Sequence, residues 1–217
     1  MASEAAPKKR GLFGTVIVLI VIEFAVIFLA VPTSWVKNIG ETDRVFTSST
    51  LGETYEKDIL EKASGWYLNA FINTGVIQAV NNYLFDQWEP NPEKANLPFD
   101  DRGLGELMQS RINNMWAATY IATYRLAEMW SWTVYLLPFL LPAIFDGFVR
   151  REINKWRFFS PSPLKHHTSS MGIKFGIVLV ILLPFLPIPF PVVFIPILFV
   201  FIGLMVSMFM GNLSKHI

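Results

Sequence analysis

Four long apolar stretches, separated by charged segments, constrain the fold of this chain more than any other feature. They lie at residues 12–31, 129–149 and, as a pair, within 172–211. A helix needs about 20 predominantly apolar residues to cross a bilayer. The pattern therefore predicts an all-α membrane protein with about four transmembrane helices. Only 16% of the 217 residues are charged, below the roughly 25% of soluble domains, which excludes a large soluble enzyme core.

The first stretch resembles a secretory signal peptide, because it follows Lys8, Lys9 and Arg10. Its apolar run is longer than the roughly 7–15 residues of a typical signal peptide, and no A-x-A cleavage site precedes Pro32. We therefore expect an uncleaved signal anchor at residues 12–31.

The last two stretches are joined by a segment with four prolines in eight residues, 184–191. Proline removes amide donors and excludes a continuous helix. The sequence therefore predicts a proline-linked transmembrane hairpin at residues 172–211. Because the third stretch is short, a re-entrant or kinked structure that does not cross fully is the alternative.

The distribution of charge predicts which side each segment faces, because Lys and Arg favour the cytoplasmic side. The first ten residues carry three basic side chains against Glu4, and residues 150–174 carry six against Glu152. Residues 37–128 instead hold thirteen acidic and eight basic side chains, which suits the opposite side. We expect an N-in, C-in topology, with cytoplasmic segments at 1–11, 150–171 and 212–217 and an extracytoplasmic segment at 32–128.

The extracytoplasmic segment is predicted to form an amphipathic helical hairpin. Residues 51–86 read as one long helix, with Thr50 and Glu53 as its capping box. Prolines between 90 and 98 end it, and a second helix runs from about Asp101 into the second span until Pro138 or Pro142 bends it. The apolar stripes are Ile59, Ala63, Trp66, Ala70, Ile77, Val80 and Leu84 on the first helix, and Leu104, Met108, Met115, Ala122, Leu126 and Met129 on the second.

Neither amphipathic helix could bury its stripe alone. One interpretation is that the two stripes bury each other. The other is that part of the first stripe, around Trp66, Tyr67 and Phe71, meets another chain, and these three residues form the predicted extracytoplasmic partner surface.

Glu23 is the most anomalous side chain, because it lies near the middle of the first span. An ionised carboxylate there costs at least about 2.5 kcal/mol and tends to face a partner or a cavity. Three interpretations remain open: an interhelical contact that fixes assembly, a protonated or snorkelling side chain without a role, and a proton relay.

The segment after the second span mixes basic and aromatic residues and is the predicted cytoplasmic contact surface, either with phosphates, anionic lipid or an acidic protein, or through the positive-inside rule alone. Its residues are Asp146, Arg150, Arg151, Lys155, Trp156 and Arg157. Asp146 and Arg150 form an expected i,i+4 ion pair.

No catalytic, metal or cofactor motif is visible, so we expect no enzyme activity, metal or cofactor. The chain has no cysteine, and its three histidines lack the spacing of a helical metal site.

A set of residues between 104 and 167 carries a resemblance to a known family. They are Glu106-Leu107-Met108-Gln109-Ser110-Arg111, Tyr120, Tyr124-Arg125-Leu126, Trp132, Leu140-Leu141-Pro142, Asp146-Gly147-Phe148-Val149-Arg150-Arg151, Trp156-Arg157-Phe158 and Ser162-Pro163. This pattern resembles the integrating conjugative element membrane protein family, whose members are encoded beside TraD-type coupling proteins. The first span and the final hairpin match only as hydrophobic segments. The resemblance implies conjugative DNA transfer and a multi-pass location in the bacterial inner membrane, and it carries over no catalytic residue.

The leading functional hypothesis is therefore a non-enzymatic inner-membrane component of a conjugative type IV secretion system, acting through protein–protein contacts. Its expected partners are membrane lipid, a coupling protein or other type IV secretion membrane subunits, and a second copy of the chain; direct nucleic-acid binding is not expected. The alternative is a small transporter or channel subunit that uses Glu23.

Overall fold

The computed structural model describes residues 11–85, 101–156 and 162–213, and these residues are helical with no strand. The prediction of an all-α fold is confirmed. Four of its helices, α1, α5, α6 and α7, are long and apolar enough to span a membrane. The helices are α1 (Leu12–Ala30), α2 (Thr33–Leu51), α3 (Glu53–Tyr67), α4 (Val76–Phe85), α5 (Asp101–Trp156), α6 (Pro163–Leu182) and α7 (Phe194–Gly211).

Helix α5 is a single rod of 56 residues. At 1.5 Å per residue it is about 84 Å long, far more than the roughly 30 Å of a hydrocarbon core. The prediction that the second amphipathic helix begins near Asp101 and enters the second span without a break is confirmed. Pro138 and Pro142 lie inside this helix, which continues past both.

The predicted single helix over residues 51–86 is wrong. Helix α3 is followed by a π-helical turn, Leu68–Ile72, and α4 begins only at Val76. The break lies at Gly75, whose φ of 73° is a left-handed conformation that glycine adopts at little cost. The predicted capping box is also absent, because the residue that precedes α3 is Gly52 (φ 91°) and no side chain caps the helix. The predicted break at 90–98 lies outside the described residues.

Helix α2 has no counterpart among the predicted elements. Its buried face consists of Val36, Ile39, Asp43 and Thr47, which recur at spacings of three and four. Two of these four side chains are polar, so a search for apolar periodicity does not detect the helix. Helices α2 and α3 form a hairpin that lies along α5.

The transmembrane hairpin packs on α5 through small residues. Helix α7 runs in the same direction as α5, since Gly203 lies against Leu140 and Gly147 lies against Ser207. Helix α6 runs back along α7. Residues 183–193, which we call the proline-rich connection, join α6 to α7 and begin with a 3₁₀ turn, Leu183–Phe185.

The cytoplasmic segment predicted as a loop at residues 150–171 is largely helical. Helix α5 continues to Trp156, and α6 begins at Pro163, where Ser162 caps it. Residues 157–161 lie outside the described part of the chain. The third candidate span is therefore 23 residues long, Pro163–Phe185, which removes the reason for expecting a re-entrant hairpin. Full crossing remains a prediction.

A buried ionic cluster as the candidate functional site

Arg125 is the most unusual side chain in the structure, because it is large, charged and only 1% exposed. Its Nε donates a hydrogen bond to Asp43 Oδ2 at 2.7 Å. Its two terminal nitrogens donate to backbone carbonyls of the proline-rich connection, those of Leu186 at 2.6 Å, Ile188 at 2.5 Å and Leu183 at 3.4 Å. The guanidinium therefore binds helix α2 and the connection at the same time.

Asp43 completes the link from the other side of the pair. Its Oδ1 accepts a hydrogen bond from the Phe190 amide at 2.7 Å. Proline carries no amide hydrogen and prevents a regular helix, so the backbone of the connection cannot satisfy all of its own polar groups. Arg125 and Asp43 supply those partners, which explains why a charged pair is found in an apolar core.

Thr47 and Glu128 extend the cluster by one turn of α2 and of α5. Thr47 Oγ1 lies 2.6 Å from Glu128 Oε1 and 3.0 Å from the Asp43 carbonyl oxygen. The Thr47 hydroxyl is the donor in both contacts, so its one hydrogen is shared between these acceptors and links α2 to Glu128 of α5.

Burial also affects the acid–base properties of the α2 side of the cluster. It raises the pKa of the Asp43 carboxyl above its ordinary value, while Arg125 and the Phe190 amide oppose that rise. One residue along, the Arg44 guanidinium lies 2.6 Å from Glu56, and this hydrogen bond raises the pKa of Arg44.

The cluster places the proline-rich connection on the same side of the bundle as α2 and α3. A second contact also joins α2 to the connection, because Trp35 Nε1 donates a hydrogen bond to the Pro187 carbonyl at 3.0 Å. At the opposite end, Asn154 Nδ2 donates to the Gly211 carbonyl at 3.1 Å. Both contacts are those expected of a chain that crosses the membrane four times. Which end of the bundle faces the outside remains a prediction from the distribution of charge.

Glu23 lies near the middle of α1 and close to the level of the turn that ends the third candidate span. The neighbouring Phe24 contacts Phe185, in the turn that ends the third span, with ring centroids 5.7 Å apart. Above it, Ile27 and Val31 pack against Ala117, Ala118 and Ile121 of α5. Glu23 Oε2 is buried and has no hydrogen-bond partner among the described residues. Glu23 therefore faces the bundle near the end of the third candidate span that carries Phe185.

Two of the three residues of the predicted extracytoplasmic surface pack within the protein. Tyr67 contacts Tyr120, and Phe71 contacts Trp116, with ring centroids 5.3 Å and 6.2 Å apart. Only Trp66 is exposed, at 40%. Ile59 and Ala63 of the predicted α3 stripe are buried against α5, where they meet Tyr124 and Ala127. These two residues are not in the predicted α5 stripe, and Leu126 of that stripe is exposed.

The predicted cytoplasmic surface divides into two parts. Asp146 pairs with Arg150 at 2.8 Å and accepts a hydrogen bond from Ser207 of α7 at 2.8 Å, so this pair lies at the α5–α7 contact. Trp156 is 86% exposed on another face. Lys155 pairs with Glu152, Arg151 is half-buried, and Arg157 lies outside the described residues.

The sequence analysis did not single out Asp43, Thr47 or Glu128, and it placed Arg125 only within a family resemblance. A signal was present: Asp43 and Thr47 are four residues apart, and Arg125 and Glu128 are three apart, so each pair shares a helix face. Their complementary charges could have suggested a pairing. Nothing in the sequence indicated that the proline-rich connection would meet them.

The contacts of Arg125 and Asp43 with each other and with the proline-rich connection hold α2, α5 and the connection together, and we call them the joint. Each charged group of the cluster is engaged by protein atoms and shielded from solvent. Within the described residues, no group of three or more His, Asp or Glu side chains is placed to hold a metal ion.

Comparison with known proteins gives one family match. The family model described as IncC plasmid conjugative DNA transfer protein DtrJ-like matches residues 31–214. No curated protein and no solved structure gives a significant match. The matched range contains the complete ionic cluster and leaves out Glu23.

Proposed function

Because this chain belongs to the DtrJ-like family of plasmid conjugative DNA transfer proteins, we propose that it is a non-enzymatic inner-membrane component of a conjugative type IV secretion system. It acts through protein–protein contacts, and the coupling ATPase or a channel subunit is the expected partner. The family match, which agrees with the resemblance to conjugative membrane proteins, is the observation that carries this proposal.

The structure supports a role as a membrane-spanning scaffold. Helix α5 passes through both the extracytoplasmic helices and the transmembrane bundle as one rod. Arg125 of α5 and Asp43 of α2 both bind the proline-rich connection, so α2, α5 and the connection are fastened together at one point. Such a body offers fixed surfaces on both sides of the membrane and moves as a unit.

Deletion of the gene tests the proposed role. We expect transfer of the conjugative element from the deletion strain to fall by orders of magnitude while growth stays unchanged. Wild-type protein supplied in trans restores transfer, and Arg125→Leu does not, because it breaks the joint. Normal transfer from a clean deletion strain would overturn the proposal.

Cross-linking and affinity purification from a donor strain identify the partner. We expect a coupling protein or channel subunits to accompany the tagged protein. Trp66→Ala tests the exposed extracytoplasmic position, and Tyr83→Ala, an exposed aromatic residue on α4, is its control. Purification of the protein alone, together with unaffected transfer, would remove protein–protein contact as the basis of its role.

The buried, unpartnered Glu23 oxygen is the one observation that favours a transporter or channel subunit instead. The two proposals differ in their test. A transporter loses proton or ion flux in proteoliposomes with Glu23→Gln and keeps its partners unchanged. A scaffold shows no Glu23-dependent flux.

A further inference from the structure

Glu128 is a buried acid next to the joint. It is 2% exposed and lies one turn of α5 beyond Arg125, just before the predicted second span. Its Oε1 accepts a hydrogen bond from the Thr47 hydroxyl at 2.6 Å, and Glu128 forms no ion pair with any of the described residues. Burial of a carboxylate without a cation is costly, and such a group tends to bind a proton instead.

Arg125 does not balance the charge of Glu128, because it is already paired with Asp43. The Arg125 side chain donates one hydrogen bond to Asp43 and three to carbonyls of the proline-rich connection. Asp43 and Thr47 share one face of α2, and Arg125 and Glu128 share one face of α5, so the three charged groups lie in one cluster. With all three ionised, the cluster would bury two negative charges and one positive charge.

The hairpin of α2 and α3 supplies no further cation to Glu128. Glu56 of α3 is buried and is bound by Arg44 of α2 at 2.6 Å, so these two charges balance each other. Tyr55 of α3 and Tyr124 of α5 also lie at this contact, and tyrosine hydroxyl groups are uncharged near neutral pH. The hairpin therefore leaves the negative charge of Glu128 uncompensated.

The other described neighbours of this part of α5 supply no cation either. Residues 183–211, which include the proline-rich connection and α7, contain no Asp, Glu, Lys, Arg, His or Tyr. Helix α1 packs on α5 at Ala117, Ala118 and Ile121, about two turns before Glu128. The one charged residue of α1, Glu23, is itself an acid.

We propose that Glu128 binds a proton and thereby makes the joint between α2, α5 and the proline-rich connection sensitive to pH. With the proton bound, the charges of Asp43 and Arg125 balance and the cluster is neutral. When Glu128 releases the proton, its buried carboxylate repels Asp43 and the joint loosens. This inference concerns the fold and does not depend on the proposed role in DNA transfer.

The sign of the effect follows from the two states of the joint. In an open joint Glu128 meets water and ionises as an ordinary glutamate does, near pH ~4.3. In the closed joint burial favours the protonated form. The closed state therefore binds more protons, so the joint weakens as pH rises and strengthens as pH falls. Because one proton is involved, the open fraction changes by at most about tenfold for each pH unit.

Hydrogen exchange of the full-length protein in detergent, measured by mass spectrometry over residues 183–193, tests the inference between about pH 5 and about pH 8. The Phe190 amide reports the closed joint, because it donates to Asp43. After correction for the intrinsic exchange rate, we expect protection of the wild-type connection to fall as pH rises. Glu128→Gln, which keeps an acceptor for Thr47 but cannot ionise, should hold its protection constant over this range.

The matched control is Glu61→Gln, which removes an exposed acid from α3 and should keep the pH dependence of the wild-type protein. Glu128→Met, which also cannot ionise, takes the place of Glu128→Gln if that variant does not fold. An unchanged pH dependence in the Glu128 variants overturns the proposal, and so does constant protection in the wild-type protein. Loss of the pH dependence in Glu61→Gln as well would assign the effect to the general charge of the outer helices and would also overturn it.

Discussion

At the scale of single residues, the joint between α2, α5 and the proline-rich connection depends on one buried ion pair. Burying two charges is expensive, and a buried pair is stabilising only where further hydrogen bonds satisfy it. Arg125 meets this condition through its three carbonyl partners, and Asp43 meets it through the Phe190 amide. The main effect of the pair is therefore to determine that α2, α5 and the proline-rich connection meet at this point, not to add the attraction of two opposite charges.

Arg125→Leu is expected to lower the free energy of unfolding by about 3–5 kcal/mol, because it leaves Asp43 buried and unpaired. Thermal unfolding in detergent, followed by tryptophan fluorescence, measures the change. Arg125→Lys should also destabilise, since an ammonium group cannot reproduce the forked geometry. Asp43→Leu combined with Arg125→Leu should cost less than the sum of the two single changes.

Lys62→Ala, an exposed change on α3, serves as the control and should stay within about 0.5 kcal/mol of wild type. If Arg125→Leu lowered the free energy of unfolding by no more than Lys62→Ala does, the stabilising role of the buried ion pair would be contradicted.

At the scale of helices, α5 and α7 approach closely because glycine and serine lie at their contact. A Cβ atom on Gly147 would lie 2.8 Å from Met210 Cβ and 2.9 Å from the Ser207 carbonyl oxygen. Those neighbours are backbone and near-backbone atoms, so they can make room only if a helix moves. Close packing of this kind is what holds helices together where lipid replaces water.

Gly147→Val is expected to separate α5 and α7 where Gly147 meets Ser207, and to destabilise the protein by about 1–3 kcal/mol, the typical cost of overpacking. It should also weaken the Asp146–Ser207 hydrogen bond. Gly65→Ala in α3 is the control, because nothing lies within 4 Å of its added Cβ and alanine favours a helix. Equal thermal midpoints for Gly147→Val and wild type would show that the helices adjust freely.

Some of these helices could be predicted from the sequence, and others could not. The four candidate spans and the unbroken α5 could be predicted, because long apolar runs and a sustained helical period are strong local signals. Helix α2 could not, because Asp43 and Thr47 occupy its buried face. The break at Gly75 was missed because a single glycine is a weak signal within a helical pattern. The joint itself depends on contacts between residues far apart in sequence, such as Asp43 and Phe190, which no local pattern encodes.

At the scale of the whole molecule, contacts at the two ends of the bundle fit a chain that crosses four times. The proline-rich connection meets α2 at one end, and Gly211 meets Asn154 at the other. Residues 101–128 of α5 extend about 40 Å beyond the level of Met129. With the predicted second span at residues 129–149, we expect this part of α5 to lie outside the bilayer together with α2 and α3, which pack along it.

Single cysteines determine which side that is, and the chain has no cysteine of its own to interfere. Lys57→Cys on α3 should react with a membrane-impermeant maleimide in intact spheroplasts. Lys165→Cys, at the start of α6, should react only after permeabilisation, because the positive-inside rule places it in the cytoplasm. The unmodified protein gives the background, and the reverse labelling pattern would invert the topology.

The joint around Arg125 also has a consequence for biosynthesis. Asp43 and Arg125 are made well before the connection that satisfies them, since Phe190 follows Asp43 by 147 residues and Ile188 follows Arg125 by 63. During translation Asp43 and Arg125 therefore have incomplete hydrogen bonding until the proline-rich connection has been made. A chain that ends early keeps this charged pair open to water and to proteases. The contacts of Arg125 and Asp43 can therefore be completed only in a chain that has been made at least as far as Phe190.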